Sequence, residues 1–121
     1  MSRSGQSVLV FSIYLLVMGS ILVAIPNLLL SVLRIPETTE VWVRVVGMLV
    51  LILGFYYNIA ARNELRPFIR ATVYGRLSVL FFFIAFVFLG YGPPILLVFG
   101  FVDALAATWT AMALRTERPP R

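Results

Sequence analysis

The stretch VWVRVVGMLVLILGFYYNIAA, residues 41–61, decides the fold. It carries a single charge, Arg44, in a run as long as a helix needs to cross a bilayer core, roughly 20 apolar residues. Trp42 at its start and Tyr56 and Tyr57 near its end suit the two membrane–water boundaries, where amphipathic rings are favoured. Arg44, Gly47, Leu51, Gly54 and Asn58 recur at spacings of three and four and so share one helix face. Close packing of small residues joins helices in lipid, so this face is expected to turn inward.

Three more apolar runs flank it. They predict spans over about residues 7–25, 68–89 and 95–114, beside the span at 41–61. Pro26 breaks or kinks the first, and the short apolar segment Asn27 to Leu33 either extends it or lies as an interfacial turn of helix. Arg34, Pro36, Glu37 and Glu40 follow at once and favour the interfacial reading. No small-x-small site closes the first run, so it reads as an uncleaved span rather than a signal peptide. Thr38 or Thr39 is expected to cap the second span, with Glu40 in its first turn. Arg62-Asn63-Glu64-Leu65-Arg66-Pro67 forms a polar connection containing a helix breaker, and Gly90-Tyr91-Gly92-Pro93-Pro94 is a turn. The tail from Arg115 is expected to fray. The fold class is therefore all-α, an integral membrane four-helix bundle, with residues 1–121 forming a single transmembrane domain.

Composition agrees. Of 121 residues 61% are hydrophobic and 12% charged, more apolar surface than a soluble domain of this size can bury. The net charge of +5 comes from ten arginines, most of them beside the apolar runs, which points to lipid headgroups and topology rather than nucleic acid. Arg3, Arg62, Arg66, Arg70, Arg115, Arg118 and Arg121 fall on one predicted side, against Arg34 and Arg44 on the other, so both termini are expected in the cytoplasm. Without Cys, His or Lys, the chain has no thiol, imidazole or amine to act as nucleophile or base, and its scattered carboxylates have no metal-ligand spacing. No enzyme activity or metal is expected from any motif, and the residues leave a cofactor open.

Asp103 is the residue that helix packing explains least. A carboxylate in mid-span costs on the order of 2.5–3.5 kcal/mol on insertion scales. Counting from the Tyr91–Pro93 turn puts Arg76 within roughly 6–8 Å of it in depth. Arg44, on the inward face of the second span, is the rival partner, and a cluster of Arg44, Arg76 and Asp103 would carry one surplus positive charge. A structural ion pair that fixes register is the plain reading of these groups; a ligand or ion site is the sharper one. Small residues Ala71, Gly75, Ser78 and Ala85 predict the inward face of the third span, and Gly100, Asp103, Ala104, Ala107, Thr110 and Ala111 that of the fourth. Trp109 with Thr108, and Asn58, are candidate pocket-lining residues, with interfacial anchoring as the alternative for Trp109.

Arg44-Val45-Val46-Gly47, Gly54, Gly75-Arg76 and Asp103 resemble the pattern of small bacterial four-helix membrane proteins of the DoxX-like group, over about residues 15 to 115. The resemblance implies a bacterial inner-membrane location and, for some members, association with quinone-linked oxidoreductase complexes. The expected function is a bundle that binds a lipid- or quinone-like molecule or serves as an accessory subunit of a larger membrane complex. The alternative is a small homo-oligomeric transporter or channel protomer that uses Asp103. The bilayer itself is the expected partner in either case.

Overall fold

The computed structural model describes residues 1–117, and these are all-helical: α1 Arg3–Ala24, α2 Pro26–Val32, α3 Trp42–Arg62, α4 Arg66–Phe88 and α5 Leu96–Thr116. The four long helices are each apolar and long enough to cross a membrane. Several boundaries differ from expectation, and proline explains two of them. Pro26 and Pro67 each sit in the first turn of a helix, where the missing N–H has no partner to lose and the fixed φ suits the helix. Pro67 thus starts α4 instead of breaking the chain. Residues 26–32 form a helix of their own, parted from α1 at Ile25. Neither Thr38 nor Glu40 belongs to α3. The Thr38 hydroxyl accepts the Glu40 N–H at 3.1 Å in a local turn, and the Asn27 side chain accepts the Thr38 N–H at 3.0 Å.

Three helices end in the same way. After α2, α3 and α4 the chain enters the left-handed region at Arg34 (φ 58°), Glu64 (φ 53°) and Gly90 (φ 78°). The next N–H then reaches back to close the last turn: Ile35 to Leu30, Leu65 to Ala60 and Tyr91 to Phe86. Only the third uses glycine; the other two accept the steric cost of a side chain there.

The chain divides into two compact units. In the unit of residues 9–59, α1 and α3 pack antiparallel along the predicted inward face of α3. Gly54 meets Leu15 and Leu16, Leu51 meets Gly19, and Gly47 meets Leu22 and Val23. The Asn58 amide donates to the Ser12 hydroxyl at 3.3 Å at one end. At the other, Arg44 donates to the carbonyls of Val23 and Ala24. Those carbonyls are left over because α1 stops at Ala24, and a cation suits the negative end of a helix.

In the other unit, residues 1–8 and 60–121, α4 and α5 pack against each other, with Gly100 seated on Leu80. Ile69, Val73, Ala107 and Ala113 are buried there, as are Val8, Ala60 and Ala61. The inward face of α4 is Ile69, Thr72, Val73 and Arg76, not the small-residue face. Ala71 and Gly75 are exposed, and a methyl group at Gly75 would meet open space. Small residues permit close approach but do not demand it. A threonine and an arginine demand partners, and they take the interior.

The Gly47 contact gives the first prediction. A Cβ there would lie 2.7 Å from the Leu22 Cβ and 2.8 Å from the Val23 backbone nitrogen, which cannot swing aside. Gly47→Ala is expected to cost about 1–3 kcal/mol, whereas Gly75→Ala is neutral or gains up to about 1 kcal/mol of helix propensity. Thermal unfolding in detergent, followed by circular dichroism, separates the two. Equal melting points would contradict the packing described.

Candidate functional site

Among the described residues, a connected polar network lies in the unit of residues 1–8 and 60–121. Arg76, only 1% exposed, is its innermost member. Its side chain turns back along α4, as helix side chains do. Nε donates to the Thr72 carbonyl at 3.1 Å, and Nη2 donates to the hydroxyls of Thr72 at 3.0 Å and Thr110 at 2.9 Å. The Thr110 and Ser7 hydroxyls are 2.6 Å apart, and Ser7 lies 2.7 Å from the Ser4 carbonyl. Each hydroxyl has one proton, so the shortest consistent set runs one way, from Arg76 to Thr110 to Ser7 to the Ser4 carbonyl.

The outer end of this chain is held by two carboxylates. Glu117 accepts the Ser4 N–H and the Ser4 hydroxyl, each at 2.8 Å, and the Arg66 guanidinium at 2.9 Å. Glu64 accepts the Ser2 N–H at 2.8 Å and the Ser2 hydroxyl, while the Ser2 hydroxyl also accepts the Gly5 N–H at 3.0 Å. The start of α1 has backbone N–H groups without helical partners and a partial positive charge, so two anions there satisfy both needs. The left-handed turn at Glu64 brings its carboxylate to Ser2. Glu117, expected in a frayed tail, is instead fastened; residues 118–121 of that tail lie outside the described residues. Burial works to push the Glu117 carboxyl up, but the Ser4 N–H, the Ser4 hydroxyl and Arg66 together hold it below its ordinary value of 4.5.

Ser2, Ser4, Ser7, Thr72, Glu64 and Glu117 join this network without standing out in the sequence as site residues. A signal for the serines did exist. Ser4, Ser7, Val8, Phe11 and Ser12 are all buried and follow one helical stripe, but three of the five are polar and do not register as a hydrophobic face.

Asp103 is half-buried on α5, and its carboxylate makes no hydrogen bond or ion pair with any described residue, although the Arg76 charge acts on it electrostatically. The Gly100–Leu80 contact brings the Arg76 backbone level with residue 104, yet the guanidinium runs the other way, to Thr110. Arg44 lies in the unit of residues 9–59, where it closes the end of α1. Asn58 is spent on Ser12. The Thr108 hydroxyl folds onto the Ala104 carbonyl at 2.8 Å, and Trp109 lines a shallow hollow with Arg3, Gln6 and Met112.

The Glu117 clasp gives a pH prediction. A carboxyl held below its ordinary value stabilises the fold above about pH 4.5, and that contribution is lost as pH falls through the lowered value. Glu117→Gln should be less stable than the parent at pH 7, and the gap should narrow as pH falls below 4.5. A gap that stays constant from pH 7 to 3 in detergent melts would show that the carboxylate charge is not what binds Ser4 and Arg66. No known protein family, curated protein or solved structure matches this chain.

Proposed function

We propose that the chain is a multi-pass membrane protein with both termini in the cytoplasm, which binds a lipid- or quinone-like amphiphile as an accessory member of a larger membrane assembly. The observation that carries this reading is a groove beside Arg44. It encloses about 420 Å³ and is lined by Val23, Val41, Val45, Met48, Leu51 and Ile52, with Arg44 as the only polar side chain. That volume falls in the range of small-molecule pockets, roughly 300–1,000 Å³. One Arg44 nitrogen is engaged by the end of α1, and its other donors make no hydrogen bond with any described residue. An apolar trough with free N–H donors at its rim suits a ligand with an apolar body and a carbonyl or phosphate oxygen at one end. Outward-facing Phe81, Phe82, Phe88 and Leu105, each at least 60% exposed, supply the apolar exterior that lipid or a membrane partner would cover. The DoxX-like resemblance points to the same setting.

The groove is tested by native mass spectrometry of the detergent-purified chain. The parent is expected to carry a bound lipid or quinone. Met48→Trp, which fills the trough, should lose it with the melting point kept, and Arg44→Gln should weaken it. An unchanged ligand population in Met48→Trp would end the groove reading. Recovery of the chain in solution without detergent would end the membrane reading as well.

A second reading, an oligomeric transporter or channel protomer, is favoured by Asp103, a mid-helix carboxylate without a bonded partner among the described residues. If it holds, the parent in liposomes should pass protons or cations in response to a gradient, and Asp103→Asn should abolish that flux while leaving the melt intact. Equal flux in both, or none in the parent, counts against it.

A further inference from the structure

A second groove lies between α4 and α5, enclosing about 280 Å³. Its lining repeats on both helices. α4 supplies Arg70, Val73 and Tyr74, and α5 supplies Ala111, Leu114 and Arg115, each at spacings of three and four. The Arg66–Glu117 ion pair sets the local register of the two antiparallel helices. In that register Arg70 and Arg115 stand within one turn of each other across the groove, and Tyr74 and Ala111 lie about a turn further along, toward the middle of both helices.

Two features of this pair of arginines are unusual. Neither makes a hydrogen bond or ion pair with any described residue, and no carboxylate lines the groove. The nearest acid in sequence, Glu117, is already bonded to Arg66 and Ser4. Two like charges thus line one apolar trough without an acid of the chain to match them, an arrangement that favours an anion from outside. The rest of the lining, Val73, Tyr74, Ala111 and Leu114, suits the apolar body of such a ligand.

We infer that the Arg70–Arg115 groove is a binding site for an anionic phospholipid, with the phosphate between the two guanidinium groups and an acyl chain running past Tyr74 along Val73 and Ala111. Arginine's planar fork suits phosphate oxygens, and basic pockets between membrane helices at the cytoplasmic side are where such headgroups bind. Tyr74, 71% exposed, stands where its ring can lie against the glycerol and upper chain. The site is separate from the groove at Arg44 and rests on the preceding reading only for the membrane and the cytoplasmic side of the termini.

The test places the full-length chain in nanodiscs of phosphatidylcholine, with and without a minority of phosphatidylglycerol. Parent protein is expected to retain phosphatidylglycerol through delipidation, read by native mass spectrometry, and to melt higher when it is present. Arg70→Gln with Arg115→Gln should weaken retention roughly tenfold or more, the scale expected for two arginines at a charged leaflet. Replacing both with lysine should restore part of it. Both side chains are exposed, so folding should survive, and the melt in pure phosphatidylcholine checks this. Retention unaffected by the double glutamine variant would overturn the inference, as would equal retention of the two lipids by the parent. If the parent enters nanodiscs yet shows no preference, only this site fails. If it does not enter them, the membrane reading fails first.

Discussion

A polar atom inside an apolar helical protein has few places to find a partner, and that scarcity organises most of what is specific in this structure. Backbone groups are satisfied within helices, which leaves helix ends and polar side chains to be matched with one another. The start of α1 is matched by Glu64 and Glu117. Its end, cut short before Pro26, is matched by Arg44. Arg76 could not be buried without acceptors, and Thr72 and Thr110 provide them. These bonds join parts far apart in the chain: Ser4 to Glu117, Ser7 to Thr110, Ser2 to Glu64. Apolar packing between helices is permissive about rotation and sliding, most of all where the surroundings are as oily as the side chains. Hydrogen bonds with fixed geometry are not.

Close approach of backbones is the complementary device. At Gly19 and Gly47 the absence of a side chain lets α1 and α3 touch, and contacts on either side fall into step down to Asn58 and Ser12. This face was legible in the sequence because two kinds of signal coincided on it. Glycines spaced by seven mark a seam, and polar residues at each end of the same stripe mark where the seam is tied off. On α4 the signals parted company. Ala71, Gly75, Ser78 and Ala85 make a small-residue stripe, but Thr72 and Arg76 lie on a neighbouring face and need burial with partners more than glycine needs a neighbour. Ranking unmet polar groups above small size would have chosen the correct face.

The same ranking explains how Arg76 and Asp103 are disposed. Depth along the hairpin puts their backbones close, yet depth alone does not tell where a long side chain goes. An arginine on a helix leans toward that helix's N-terminus, and for α4 this leads away from the Gly92 turn, toward Thr72 and the C-terminal half of α5. The same rule applied to Asp103 points toward the N-terminus of α5, which is the turn end. In an antiparallel pair, two side chains that start level and each lean back toward their own N-termini diverge. Thus the backbone levels were readable by counting, whereas the missing bond follows from side-chain direction.

Charge that remains after these internal matches is where function is to be sought. Of the arginines near the start of α1, Arg66 is committed to Glu117, whereas Arg70 and Arg115 are not committed to any described group. Arg44 is half-committed, giving one nitrogen to the end of α1. In both places the uncommitted donors border an apolar groove rather than open surface. A cation beside hydrocarbon is poorly placed for solubility, which favours dispersed charge of both signs, and poorly placed for internal stability, which favours an acid within reach. The amphiphile proposed for each groove has two ends that need those two surroundings within the length of a few carbon–carbon bonds.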